Sequence, residues 1–200
     1  MGSSQDTGFA QQPFRWTSET GMVGLGRLPG AAFSLAMGIS ANGAVIVGHN
    51  TFPGPIIPIH WEAFRWTQES GMTSLGDFPG GRTVSVAHAA SADGWVIVGS
   101  AEPEDVSTIG TAFYWTAQTG LVSLQQSLVA AGIDLDGWLL SEATGASDDG
   151  LTIVGYGTHN GVQQAFVATI PEPSSIVLAA FAVAGIVCFV RSKRKWGSTA

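Results

Sequence analysis

The chain has 200 residues, enough for one domain of ordinary size or a small array of repeats. Only 12% of its residues are charged, 45% are hydrophobic, and the net charge is −7. This acidic balance argues against a nucleic-acid-binding protein, which needs a basic surface for phosphate. A single cysteine, Cys188, excludes a disulfide framework, and the apolar content is too high for intrinsic disorder.

The first residues, 1–12, contain no apolar core of a signal peptide. Gly2-Ser3 resembles Gly99-Ser100, which ends a later repeat. We therefore interpret 1–12 as the remnant of a preceding repeat or as an artificial start, and we favour a truncated start.

The following residues repeat with a period near fifty. An aromatic Phe-x-Trp-Thr segment begins at Phe14, Phe64 and Phe113, and each is soon followed by Gly-Met or Gly-Leu. A Ser-x-Ala stretch, an Asn-Gly or Asp-Gly pair and a Val-Ile-Val-Gly-like stretch then recur in the same order. These matches define repeat 1 at 13–62, repeat 2 at 63–111 and repeat 3 at 112–169.

A period of about fifty residues is typical of four-stranded propeller blades. The recurring segments are short, aromatic or β-branched, and bounded by glycine, as strands are. We therefore predict an all-β fold, a β-propeller-like array of four-stranded antiparallel repeats. Pairs such as Asn42-Gly43 predict type I′ hairpins between the last two strands of each unit. Trp16, Trp66 and Trp115 recur in register and are predicted to lie in the blade cores.

Repeat 3 contains an insertion between its two halves. Ser123 and Gln126 have the spacing of a capping box, and Gly132 could end the segment, so we predict a short helix here. Residues 165–168 resemble the opening strand of a further unit and are predicted to complete the last blade.

The C-terminal segment differs from the repeats. Residues 174–190 carry no charge and would form a helix of roughly 25 Å. Its length alone leaves a buried core helix open, but its flanks favour a membrane span with the basic end on the cytoplasmic side. Those flanks are Pro171, Glu172 and Pro173 before the helix and Arg191, Lys193, Arg194 and Lys195 after it.

This order of elements resembles the PEP-CTERM sorting signal of bacterial surface proteins over residues 170–195, with a short tail at 196–200. The resemblance implies that Pro171, Glu172 and Pro173 form the recognised tripeptide. It also implies processing by an exosortase, a membrane-embedded peptidase-like enzyme. The repeats resemble the HAF family of extracellular repeats, for example through 63–67 and 91–99, although the histidine of the family's name is absent.

No catalytic or metal-binding constellation stands out in the sequence, and we predict no cofactor. The four histidines lack zinc-site spacing and are interpreted as loop or turn residues. Acidic pairs that run into glycine, such as Asp148 and Asp149, are interpreted as turns. Trp95 and Trp138 each follow Asp-Gly, and their rings could stack on sugars, although buried packing is favoured.

Together these features predict a non-enzymatic bacterial surface protein, anchored by the helix at 174–190 with its repeats outside the cytoplasm. A structural or adhesive role within extracellular polysaccharide is favoured. Two alternatives stay open. One is a carbohydrate-binding propeller module, and the other is a fragment of a propeller hydrolase or lyase.

Overall fold

The computed structural model describes residues 2–5 (as backbone), 11–53, 60–80, 84–103 and 110–170. The chain divides into two compact units, Met1–Thr169 and Ile170–Ala200, and nearly all of the second unit lies outside the described residues. The predicted sorting motif at 171–173, the predicted anchor helix at 174–190 and the basic cluster therefore lie outside them too. Among the residues that are described, no helix is long and apolar enough to cross a membrane.

The described residues of the first unit form four antiparallel sheets and one short helix, which confirms the all-β prediction. Sheet 1 contains β1 (Gly2–Gln5), β2 (Gln11–Thr17) and β3 (Gly21–Gly24). Sheet 2 contains β4 (Phe33–Ile39), β5 (Val45–Phe52), β6 (His60–Thr67) and β7 (Gly71–Ser74). Sheet 3 contains β8 (Ser85–Ala90), β9 (Ile97–Ala101), β10 (Thr111–Thr116) and β11 (Gly120–Ser123). Helix α1 (Leu124–Ala130) follows, and sheet 4 contains β12 (Trp138–Ala146), β13 (Thr152–His159) and β14 (Val162–Thr169).

Each four-stranded sheet combines the second half of one sequence repeat with the first half of the next. In sheet 2, β4 and β5 come from repeat 1, whereas most of β6 and all of β7 belong to repeat 2. The long pairing of β5 with β6, from Val45↔Thr67 to Phe52↔His60, fixes this arrangement. The sequence repeat and the sheet therefore have the same length but different boundaries.

The turns between the first two strands of sheets 2, 3 and 4 are not type I′, so that prediction is wrong. At Asn42-Gly43 only the glycine has a positive φ, +69°. The Asn42 carboxamide oxygen instead accepts hydrogen bonds from Ser40 Oγ at 2.7 Å and from the Ala44 N–H at 2.9 Å. The two-residue turn with positive φ at both positions is Asn160-Gly161, between β13 and β14, which the repeat pattern does not mark.

Helix α1 confirms the helix predicted in repeat 3. Ser123 is the N-cap, and its Oγ accepts a hydrogen bond from the Gln126 N–H at 3.3 Å. The chain leaves the helix at Gly132, whose φ is +84°. The strand predicted at 165–168 is confirmed as well, because it lies in β14 and pairs with β13 along the whole strand.

Each sheet packs against the next sheet along the chain. One buried cluster joins Leu25, just after β3, to Ile46 and Phe64 of sheet 2. A larger cluster joins sheets 2 and 3 and contains Val45, Val47, Ala63, Leu75, Ala87, Ile97, Ala101 and Phe113. Within the described part of the chain, no extensive contact returns from sheet 4 to sheet 1, so these sheets do not form a closed ring.

The recurring tryptophans do not share one environment. Trp66 and Trp115 are half-buried and pack against the outside of the two clusters, so the core prediction holds for them only in part. Trp16 occupies the same repeat position but is 63% exposed. The core prediction is therefore wrong for Trp16, because no described sheet covers that face of sheet 1.

Candidate functional site: a cleft where sheets 3 and 4 meet

A cleft of about 440 Å³ lies where sheets 3 and 4 meet, with Trp61 of sheet 2 at its edge. The parallel bridge between Trp61 and Val84 brings β6 to the beginning of sheet 3. Besides these two residues, the walls include Val86, Ser100, Ser141, Glu142, Tyr156 and Gln163. The cleft thus combines an aromatic ring, a carboxylate, a phenol, an amide and hydroxyl groups.

Glu142 is the centre of the polar groups in this cleft. The Tyr156 hydroxyl donates a hydrogen bond to Glu142 Oε2 at 2.5 Å. On the opposite sheet, His88 Nε2 lies 3.3 Å from Glu142 Oε1, close enough for an ion pair although the angle is poor for a hydrogen bond. One carboxylate therefore links β13 of sheet 4 with β8 of sheet 3.

Strand irregularities determine where these side chains lie. The pairing of β8 with β9 shifts between Ala87 and Ala89, so His88 sits in a bulge. The pairing of β12 with β13 shifts between Leu140 and Glu142 and again after Ala143. A bulge bends its strand and redirects its side chains, which suits both residues to reach across a sheet interface.

The surroundings alter the protonation of the cluster. Burial lowers the pKa of His88, and the Glu142 carboxylate opposes this effect by favouring the imidazolium. The hydrogen bond to Glu142 raises the pKa of Tyr156, because the phenolate would face the carboxylate. Around neutral pH the cluster therefore contains a neutral phenol and an imidazole that burial holds toward its neutral form.

A second histidine lies close to the cleft. His49 on β5 contacts the Trp61 ring, with 5.5 Å between ring centroids and 46° between planes. Burial lowers its pKa first, and the nearby His88 lowers it further. Its Nδ1 is buried without a hydrogen-bond partner in the described structure.

The histidines are strand residues, so their interpretation as loop or turn residues is wrong. His49, His60, His88 and His159 lie in β5, β6, β8 and β13. In the part of the chain that is described, no three His, Cys, Asp or Glu side chains are grouped to hold a metal ion. The acidic pair before Gly150 lies in a turn as predicted, with Asp149 Oδ1 accepting hydrogen bonds from Ser147 Oγ and the Leu151 N–H.

The two tryptophans predicted for sugar stacking lie apart from each other and outside this cleft. Trp95 is exposed in the turn between β8 and β9 and borders a shallow pocket of about 270 Å³ with Arg65 and Trp115. Trp138 begins β12, and one face of its indole is stacked on His159 at 4.8 Å. The structure therefore does not combine them in one site.

A sequence signal for the cleft is present when the three repeats are compared with one another. Glu142 stands where the other two repeats have Leu35 and Val86, each between the conserved positions of Ser-x-Ala. Tyr156 likewise follows the same glycine as His49 and Ser100. Glu142 is therefore a polar replacement at a position that is apolar in the two sister repeats, and such a replacement marks a site that the shared scaffold does not need.

Comparison with known proteins identified no relative of this chain. No family profile matches the chain, and no significant match occurs among curated proteins or among solved structures.

Proposed function

We propose that this protein is a non-enzymatic, propeller-like repeat module of the bacterial cell surface, with a structural or adhesive role. The observation that carries the proposal is the succession of four antiparallel sheets, each packed on the next, followed at once by the PEP-CTERM-like segment. Blade-like sheets in series give a rigid body with large exposed surfaces, which suits adhesion. The sequence of the C-terminal segment supports an anchor that leaves this body outside the cytoplasm.

Localisation of the full chain tests this proposal. In a bacterium that has an exosortase, we expect the chain in the membrane fraction, with its sheets digested by protease added outside intact cells. Replacing Pro171, Glu172 and Pro173 by alanine should abolish processing but leave the membrane association, which depends on 174–190. A chain found in the cytosol and protected from external protease would overturn the proposal.

The cleft between sheets 3 and 4 supports carbohydrate binding as a second candidate function. Aromatic rings pack on the apolar faces of sugars, while carboxylates and amides accept and donate hydrogen bonds to hydroxyls. Trp61 provides a ring that is 40% exposed, and the Glu142 carboxylate and the Gln163 amide lie in the same cleft. The pocket beside Trp95 has the Asp93 carboxylate but no amide, and the pocket beside Trp138 is lined by apolar residues and one threonine.

A matched series of tryptophan variants tests the sugar site. We expect Trp61→Ala to weaken oligosaccharide binding at least about tenfold, as loss of a stacking ring in a binding site does. Trp95→Ala and Trp138→Ala should leave binding unchanged, and Glu142→Gln should weaken it less than Trp61→Ala. The measurement is titration calorimetry with oligosaccharides that a glycan array selects. Equal losses in all three tryptophan variants, or no binding by the unmodified chain, would refute the site.

A further inference from the structure

The chain contains one type of sheet-to-sheet contact that repeats along the array. The face that a sheet turns to the preceding sheet is here called its leading face, and in sheet 2 it contains Ile46, Phe64, Trp66 and Met72. The face toward the following sheet is called the trailing face, and in sheet 2 it contains Val45, Val47, Ala63 and Leu75. Each interface therefore joins a trailing face to a leading face.

Of the four described sheets, the first and the last each expose one of these faces. On the leading face of sheet 1, Trp16 and Met22 are directly paired across β2 and β3, and each is 63% exposed. Their counterparts Trp66 and Met72 are half-buried in the contact between sheets 1 and 2. The leading face of sheet 1 thus has the residue types of a buried interface but no described neighbour.

The trailing face of sheet 4 shows the same contrast. Val154 occupies the repeat position of Val47 and Val98, which are completely buried, yet it is 40% exposed. Its cross-strand partner Val167 is 74% exposed. The opposite face of the same two strands is buried, with Ile153, Phe166 and Ala168 packed inside. Exposed apolar patches of this kind usually mark an interaction surface.

We infer that the two faces bind each other between copies of this protein, so that the leading face of sheet 1 packs on the trailing face of sheet 4 of a second copy. A second copy is the expected partner, because the two exposed faces correspond to the two sides of a contact that the chain already makes between its own sheets. Such a contact is head-to-tail, so it builds rings or filaments rather than a symmetric dimer. This contact does not depend on the cellular location of the protein.

Crosslinking between two single-cysteine variants tests the orientation of this contact. The full chain with Cys188→Ser is purified in mild detergent as Met22→Cys and as Val167→Cys, and the two are mixed with a short bifunctional maleimide. We expect the mixture to form crosslinked dimers at least about fivefold faster than either variant alone, because a head-to-tail contact joins unlike faces. The matched control mixture is Val23→Cys with Val162→Cys, which place exposed cysteines on the same strands but on the opposite faces.

Association measurements complete the test. Val167→Asp should raise the apparent dissociation constant of the complex at least about tenfold in sedimentation velocity, because it would place a charge in an apolar contact. Val162→Asp should leave it unchanged. A chain that is monomeric at all concentrations would overturn the inference. Equal crosslinking in the control mixture would overturn it as well, and so would a crosslink formed only within one chain that carries both cysteines.

Discussion

The interface between sheets 2 and 3 and the interface between sheets 3 and 4 differ in the side chains that meet between the sheets. The former is a continuous apolar cluster in which Val47, Ile97 and Phe113 are completely buried. At the latter, Glu142, His88 and Tyr156 meet beside an open cleft. The difference shows that the repeat needs apolar residues at only part of each interface. The remaining positions can acquire polar groups while the sheets stay packed.

Both interfaces nevertheless share one close contact near their turns. Gly94 of sheet 3 lies over Val45 of sheet 2, and Gly150 of sheet 4 lies over Val96 of sheet 3. A Cβ at Gly94 would lie 2.3 Å from Val45 Cγ2, and one at Gly150 would lie 2.6 Å from Val96 Cγ2. The positive φ at Gly43, Gly94 and Gly150 explains the glycine in all three repeats. At Gly94 and Gly150 the glycine also lets successive sheets approach.

The largest effect is expected from removal of a ring in the apolar interface. Phe113 is completely buried, so Phe113→Ala should lower the free energy of unfolding by about 3–5 kcal/mol. Trp61→Ala, which removes a partly exposed ring at the cleft, should cost less than half as much. Urea unfolding followed by circular dichroism measures both. Similar losses in the two variants would show that the interfaces do not differ in the way described.

Substitution of the interface glycines should have the next largest effect. Gly94→Ala and Gly150→Ala combine a positive φ with a steric clash, and each should cost about 2–4 kcal/mol. Gly43→Ala is the matched control, because Gly43 has the same positive φ but an open space around its Cβ, and it should cost about 1–2 kcal/mol. Thermal unfolding of the three variants separates the two contributions. A Gly43→Ala cost equal to that of Gly94→Ala would exclude the sheet contact as the cause.

Acid should weaken the fold through the histidines near the cleft. Burial lowers the pKa of His49 and His88, so the unfolded chain binds more protons than the folded chain below its ordinary histidine pKa of about 6.5. Stability is therefore fully present above that pKa and falls as the pH decreases from about 7 to about 5. The double variant His49→Asn, His88→Asn should flatten this dependence. An unchanged slope in the double variant would contradict the account.

The smallest effect on stability is expected from replacing the central carboxylate by the residue of a sister repeat. Glu142→Leu gives sheet 4 the side chain that repeat 1 has at Leu35. Replacement of a partly buried ion pair by an apolar residue is often close to neutral, so the free energy of unfolding at pH 7 should change by less than about 1 kcal/mol. A loss of several kcal/mol would mean that the cluster serves stability rather than binding.

Much of the fold could be predicted because the repeat makes each signal visible three times. The strands, helix α1 and the additional strand β14 follow from patterns of apolar residues, glycine and capping that act locally. The sheet boundaries could not be predicted, since a sequence repeat has the same content wherever it is divided. The exposure of Trp16 was missed for a similar reason, because its register is identical to that of Trp66 and only a covering sheet distinguishes them.

The cleft was harder to predict than the fold. Glu142, His88 and Tyr156 lie on different strands, and bulges at β8 and β12 bring the first two together. The spacing of these residues along the chain does not predict such a contact. Trp95 and Trp138 each follow Asp-Gly, but this pair indicates a turn and not a binding site.

The most direct test of the account is the pKa of His88, followed by NMR in the unmodified chain and in Glu142→Gln. The Glu142 carboxylate favours the imidazolium of His88, so its loss should lower the His88 pKa further below the ordinary histidine value. Trp95→Ala, which changes a residue outside the cleft, should leave the His88 titration unchanged. An unchanged or raised His88 pKa in Glu142→Gln would show that the two side chains do not meet between sheets 3 and 4, and the proposed cleft would fail.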